Sequence, residues 1–279
     1  MVMPKKCGNP SLFEIYQFLQ CFLTYGNYMN FYIVCNNQAL YSATRLLEEG
    51  NKLKLNCQVI DPFNHSISLG ENLNQSSFEN SLVMHRTTGI HMDDYDIAVS
   101  MHLLSLGATV ENDPSLLLIQ RDKQLQSVHF QKENLPMIPT YSFRGLFNES
   151  RLDEIKSFFK SYGFNLDKFV LKNTKGNKGI GISLINGINS LNSILETFWA
   201  IKDQKMMIQP YIEGGLEYRI LYSGDKLLGI VEKDFGDDFR RNTTRVDARL
   251  IKEKDLPAGV LSCSNRAYEI SNATHAGVD

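Results

Sequence analysis

From Phe31 onward, apolar residues fall alternately into short unbroken runs and stripes at helical spacing. Phe31–Cys35 predicts a buried strand, Ala39–Glu49 an amphipathic helix, and Cys57–Asp61 a second strand stopped by Pro62. Strand, helix and strand in that order make a βαβ unit. A third strand fits Ser81–His85. A helix fits Asp94–Leu106, with Asp93 and Asp94 at its positive end, and another runs from Ser115 to about Gln131.

The composition shifts at Pro136–Pro139. The next helix, Leu152–Tyr162, aligns Ile155, Phe158 and Phe159 on one face and stops at Gly163. A strand Lys168–Lys172 runs into a basic, glycine-punctuated turn, and Ser183–Ile185 returns from it. A helix over Ser190–Ile201 places Leu191, Ile194, Leu195 and Phe198 at helical spacing. Three strands follow, Met206–Tyr211, Tyr218–Tyr222 and Lys226–Glu232, the last two joined by the tight turn Ser223, Gly224, Asp225. No internal repeat or low-complexity tract interrupts the pattern.

Composition narrows the function classes. With 279 residues, 43% of them hydrophobic, the chain can bury a sizeable core without covalent staples. A net charge of −2 excludes a dedicated nucleic-acid binder, whose affinity rests on excess Lys and Arg. Cys7, Cys21, Cys35, Cys57 and Cys263 are scattered, odd in number and without a C-x-x-C pair, which suits free thiols in a reducing compartment. The apolar stretch Leu12–Leu23 is interrupted by Glu14, Gln17 and Gln20, too short and polar to span a bilayer, and no signal-type cleavage site follows it. We therefore expect a cytoplasmic protein and read triplets such as Asn242 to Thr244 as chance sequon matches. The first βα turn lacks the G-x-G-x-x-G fingerprint, which removes a dinucleotide-dependent oxidoreductase from the leading readings.

The chemistry concentrates after residue 168. Lys172 ends an apolar strand, and the turn beyond it holds Lys175, Gly176, Lys178, Gly179 and Gly181. Glycines let backbone N–H groups approach a phosphate closely, and the lysines supply opposing charge. The same pattern also describes a solvated hairpin tip. Further basic residues recur downstream: Arg219, Lys233, and a cluster from Asp238 to Arg245 containing Arg240, Arg241 and Asn242. Each alone fits a solvated edge charge. If their strands share a sheet with Lys172, their cationic ends converge on one polyanion.

These residues, in order, resemble the RimK-type branch of the ATP-grasp carboxylate–amine ligases, the alpha-L-glutamate ligase family. The match runs through Leu40 to Ser42, Arg45 and Leu46, Ile60 to Pro62, Arg121 to Lys123, Pro139 and Thr140, Lys172, Lys175 to Gly181, Ile208 to Ile212, Glu217 to Arg219, Gly224 and Asp225, Phe239 to Asn242, and Ala276 to Asp279. The resemblance implies an ATP-grasp fold, mixed α/β and α+β, behind an N-terminal Rossmann-like (pre-ATP-grasp) α/β domain. The implied organisation is an extension over 1–30, the α/β domain over 31–118, a subdomain with the glycine-rich loop over 119–205, and a second subdomain over 206–279.

By the same resemblance, Lys123 and Lys172 contact ATP phosphates, the Lys175–Gly181 turn closes over them, and Gln209, Pro210, Tyr211 and Ile212 form the hinge against adenine. Glu217 takes the ribose position, Lys233 stands where the family has arginine, and Arg240, Arg241 and Asn242 lie near the phosphates and an acyl phosphate. Arg219 is a further candidate at the acceptor carboxylate, and Asp279 is the first Mg²⁺ (or Mn²⁺) ligand. The remaining metal ligands of the family, a glutamate and an asparagine, belong to a strand beyond Asp279, so the resemblance is to a C-terminally truncated member. Other departures are Pro210 at a usually acidic hinge position and Val246 with Asp247 in place of a glycine pair.

The implied activity joins an amino acid, glutamate by family precedent, to an acceptor carboxylate on a peptide, protein or small molecule, with ATP consumed through an acyl phosphate. Such chemistry rests on positioning and charge neutralisation rather than a protein nucleophile, so His85 and His275 need no catalytic role. The implied partners are ATP, amino acid and acceptor, with a homo-oligomeric state and no membrane. The alternative is a nucleotide-binding relative without efficient turnover.

Overall fold

The computed structural model describes residues 28–70, 77–87, 93–144, 149–165, 167–176, 180–201, 205–214, 216–234 and 247–279. The expected features at Leu12–Leu23, Lys178, Gly179, Arg240, Arg241, Asn242 and Val246 lie outside the described residues. Two compact units emerge, one holding the chain to Ile119 with Tyr218–Lys233 and Ala248–Asp279, the other holding Gln120–Glu217 with Asp234–Asp247.

The first unit begins with a four-stranded parallel sheet of order β2-β1-β3-β4, built from β1 (Asn30–Val34), β2 (Asn56–Ile60), β3 (Ser81–His85) and β4 (Thr109–Glu111). Helix α1 (Tyr41–Lys52) and helix α2 (Tyr95–Ser105) accompany it. Successive strand residues point to opposite faces, so Phe31 and Ile33 join Ala43 and Leu46 of α1, while Val34 joins Val99 and Leu103 of α2. Every residue of β3 is buried, as a strand covered on both faces requires. The expected βαβ unit, the third strand and the helix after it are present within one to three residues of their expected ends.

The single helix expected from Ser115 to about Gln131 is two, α3 (Pro114–Arg121) and α4 (Lys123–Lys132). Asp122 breaks it. Its backbone is extended at φ −99°, ψ 106°, and its side chain accepts from the N–H groups of Gln124 and Leu125, capping α4.

In the second unit, β5 (Tyr141–Arg144), α5 (Glu149–Ser161), β6 (Lys168–Asn173), β7 (Ile182–Asn186), α6 (Gly187–Ile201) and β8 (Lys205–Pro210) form a sheet of order β5-β8-β6-β7 with a helical layer. Ile155 and Phe159 of α5, Leu191 and Leu195 of α6, and Phe169, Leu171, Ile185 and Ile208 of the strands make one buried core. Gly163 follows α5 with φ +78°, the left-handed turn that ends the helix. Because β8 pairs with both β5 and β6, this unit extends through Glu217, whereas the sequence-based division falls at 205/206.

The first unit resumes with β9 (Glu217–Ser223), β10 (Lys226–Asp234), β11 (Asp247–Ile251), α7 (Val260–Ser271) and β12 (His275–Val278), in a sheet of order β11-β10-β9-β12. Tyr222 stacks on Tyr268 at 4.5 Å between centroids and donates to Asn265 Oδ1 at 2.7 Å, fastening α7 to the sheet. Strands β4, β5, β11 and β12 and helix α7 were not expected from the pattern. The condition that Arg219 and Lys233 share a sheet with Lys172 is not met: Lys172 lies on β6, and they lie on β9 and β10 of another sheet.

Among the described residues no helix is long and apolar enough to cross a membrane. Cys35, Cys57 and Cys263 are free thiols; Cys7 and Cys21 lie outside the described residues.

Candidate active site

Register brings the first pair together. Val170 lies opposite Gln209 in the antiparallel β6–β8 ladder, so Lys172, two residues further on the same face, is the diagonal neighbour of Gln209. Lys172 Nζ donates to Gln209 Oε1 at 2.7 Å, and Gln209 Nε2 donates to Thr140 Oγ1 at 2.8 Å. The amide is thereby oriented with its oxygen toward the ammonium.

A second lysine arrives from α4. Asp122 forms an isolated bridge with Lys175, and the Lys123 N–H donates to Thr174 O at 2.9 Å, which holds the start of α4 against the turn after β6. Lys123 Nζ then donates to Gly176 O at 2.7 Å. Gly176 has φ +145° and Gly181 φ +75°, and an added Cβ at Gly176 would lie 3.2 Å from Ile180 O. The turn thus needs glycine at both ends. Gly181 O accepts from Asn173 N at 2.9 Å and closes it.

The two ammonium groups strain against their surroundings. Burial lowers the pKa of Lys172 first, and the positive charge of Lys123 lowers it further, with Glu217 opposing. Burial likewise lowers that of Lys123, with Asp122 opposing. Two desolvated cations beside a glycine turn and the positive end of a helix are suited to a polyanion, which would relieve both their repulsion and their desolvation. A nucleotide triphosphate has the matching charge.

The residues expected at the hinge follow directly. Pro210 is buried opposite Phe169 at the end of β8, and Tyr211 N donates to Lys168 O at 3.2 Å. Ile212 is exposed. Lys168 lies over the Tyr211 ring at 5.8 Å and pairs with Glu213. Glu217 is half-buried at the start of β9 and within electrostatic reach of Lys172.

Arg219, Lys233 and Asp279 meet in the first unit. Arg219 Nε donates to Asp279 Oδ1 at 2.6 Å and Nη2 to Oδ2 at 2.5 Å, with Lys233 Nζ 3.5 Å from Oδ1. Both carboxylate oxygens therefore face cations. Among the described residues no three His, Cys, Asp or Glu side chains cluster to hold a metal ion. This arrangement does not fit magnesium, which takes free carboxylate oxygens.

His85 offers a tempting constellation that geometry dismisses. Its Nδ1 is 2.7 Å from Ser100 Oγ and its Nε2 3.1 Å from Asp96 Oδ2, the members of a nucleophilic triad. Ser100 and Asp96 are both 0% exposed, so no substrate reaches the hydroxyl, and the network is internal scaffolding beneath β3. Sequence reasoning passed over Asp122 and Thr140 as individual residues of this cluster, and Arg86 beside the first sheet. Asp122 and Thr140 stood inside matched segments; Arg86 had only its place at the end of a buried strand as a signal.

Residues 144–256 match the family model of the RimK-like ATP-grasp domain. The chain is 26% identical over 234 residues to a protein from Vibrio atlanticus named probable alpha-L-glutamate ligase, covering 80% of this chain and 74% of that one. It is 25% identical over 261 residues to a protein of the same name from Ectopseudomonas mendocina, covering 90% and 82%. A RimK domain ATP-grasp protein from Sphaerobacter thermophilus superposes with TM-score 0.62 at 16% identity, covering 88% of this chain and 83% of that one. The D-alanine–D-alanine ligase of Bacillus anthracis superposes with TM-score 0.60 at 19% identity, covering 89% and 81%. The chain has the ATP-grasp fold, and its residues 144–256 match the RimK-like ATP-grasp domain.

Proposed function

We propose that the chain is an ATP-dependent carboxylate–amine ligase that joins an amino acid, glutamate by the names its relatives carry, to an acceptor carboxylate. The proximity of Lys172 to Lys123, whose ammonium donates to Gly176 O in the glycine turn, carries this reading. In the proposed sequence, a carboxylate oxygen attacks the γ-phosphorus of ATP, the bond to the bridging oxygen breaks, and ADP leaves. The incoming amine attacks the acyl phosphate carbon, loses a proton and expels inorganic phosphate, leaving an amide.

Lys123, Lys172 and the Lys175–Gly181 turn are assigned to the phosphates, Gln209–Ile212 to the adenine, and Glu217 to the ribose. Arg219, Arg240, Arg241 and Asn242 are assigned to the acyl phosphate and acceptor carboxylate. Their work is charge neutralisation and positioning, which suffices for phosphoryl transfer without a protein nucleophile. Asp279 is committed to Arg219 and Lys233 and offers magnesium no free carboxylate oxygen.

That ion pair supports a second reading, a nucleotide-binding relative without turnover. Amino-acid-dependent ADP release in the presence of a panel of carboxylate acceptors separates them. A ligase releases ADP only when both co-substrates are present; a binding relative takes up ATP and releases none above background.

A further inference from the structure

The first unit has an open cavity of about 470 Å³ that the nucleotide assignments do not use. Its wall is largely apolar, with Leu46, Met84, Leu117, Leu221 and Leu228 contributing side chains. Four basic residues also line it, Arg86, Arg219, His275 and His85, the last bonded to Asp96 and Ser100. A volume in the range of small-molecule pockets, an apolar wall and a few polar groups are the ingredients of a ligand site.

The charges in it do not balance. Arg219, the candidate that the family resemblance puts at the acceptor carboxylate, is already engaged by both oxygens of Asp279, which leaves Arg86 as the arginine of this cavity open to a ligand. His275 is neutral near pH 7, because burial and the neighbouring Arg86 push its pKa down to about 4. Asn112 is occupied on both ends, donating to His275 O at 2.9 Å and accepting from Thr274 N at 2.8 Å. Among the described residues, no carboxylate or hydrogen-bond acceptor meets the Arg86 guanidinium, although Arg86 lines the cavity at the end of β3. Arg86 is solvent-exposed where it lines the cavity, lies within electrostatic reach of a second arginine, and has no acid beside it among the described residues, which leaves its guanidinium open to an anion.

The anion is a carboxylate rather than a phosphate. One uncompensated positive charge matches one negative charge, and the planar guanidinium matches a carboxylate in two parallel hydrogen bonds. The leucine and methionine wall calls for an apolar body beside it. We propose that this cavity binds a carboxylate carried on an apolar body, with Arg86 holding the carboxylate, and that such a molecule is the class of acceptor the ligase uses. The acceptor assignment rests on the proposed ligase function; the binding site does not.

The test is equilibrium binding by calorimetry to the full chain, without ATP, using N-acetyl-L-leucine as probe. The uncharged N-acetyl-L-leucinamide and inorganic phosphate are the controls. The acid should bind at least about tenfold more tightly than the amide and than phosphate, the scale of a charge-assisted hydrogen-bond pair. Arg86→Gln should lose that preference and Arg86→Lys recover part of it, with unchanged thermal midpoints showing that both variants fold. Equal binding of acid and amide, an unaltered preference in Arg86→Gln, or phosphate binding as well as the acid would each overturn the proposal. ATP binding, measured separately, judges the nucleotide site: its loss sinks the ligase reading and leaves the cavity result standing.

Discussion

Arg219 grips Asp279 with two parallel hydrogen bonds across the β9–β12 ladder, at 2.6 and 2.5 Å, so the carboxylate that sequence resemblance assigns to a metal is held by a guanidinium. The pairing follows from register. Val278 lies opposite Ile220, which sets Asp279 beside the strand position of Arg219.

This pairing predicts weak divalent-cation binding by the chain alone. Mn²⁺ titrated into the protein and followed by electron paramagnetic resonance should remain essentially free at micromolar concentrations. Arg219→Gln, which releases one of the two cations on Asp279, should strengthen Mn²⁺ binding several-fold. Tight Mn²⁺ uptake by the unaltered protein would contradict the assignment.

Lys172→Ala and Lys123→Ala should each weaken ATP binding by about tenfold to a hundredfold, as loss of a hydrogen bond to a charged group implies. Their effect on stability should differ in sign from that of ordinary truncations. Each removes a desolvated cation whose charged form the fold disfavours, so thermal midpoints without ATP should hold or rise. A fluorescent ATP analogue and a thermal melt measure the two effects. Unchanged affinity in both variants would remove the nucleotide site from this position.

His275 predicts a pH dependence. Its folded pKa of about 4 lies below the ordinary 6.5, so the unfolded chain binds the extra proton between those values. Stability contributed by the neutral ring is present above about pH 6.5 and is lost as pH falls toward 4. Glu111, pushed up by burial, titrates with the opposite sign, since its neutral form is the favoured one. The difference between the unaltered chain and His275→Gln, taken from urea unfolding at each pH, isolates the imidazole. A difference independent of pH from 4 to 7 would contradict it.

Gly50→Ala sets two effects against each other. Alanine in place of glycine inside α1 gains about 1 kcal/mol of helix propensity. The new Cβ, however, would stand 2.6 Å from Cys57 Sγ and 2.9 Å from Cδ1 of the fully buried Phe31. Overpacking of a filled core costs about 1–3 kcal/mol, so the variant should be net destabilised in chemical denaturation. Adding Cys57→Ala should recover part of the loss, because the sulfur is the nearer obstacle.

Hydrophobic period alone located the long or strongly patterned elements. Ser81–His85 reads as a buried strand because all five positions are covered, and the stripe of Ile155 and Phe159 reads as a helix because both face one core. The shorter pieces left no such trace. β4 has three residues and β12 four, too few for alternation to register, and their pairing partners are remote in sequence. The break between α3 and α4 was hidden as well, since Asp122 is a good helix cap only when the chain around it bends to use it.

Composition, period and motif order determined by themselves that this chain alternates strands and helices, keeps its cysteines free of any framework spacing, and repeats the residue order of RimK-type ATP-grasp proteins. Those properties reside in neighbouring residues or in linear order. Only the tertiary structure decided that Lys172 meets Gln209 37 positions away, that Arg219 neutralises Asp279 60 positions away, and that Arg86 faces a cavity without an acid. Charge pairing depends on distance in space, and strand register sets that distance.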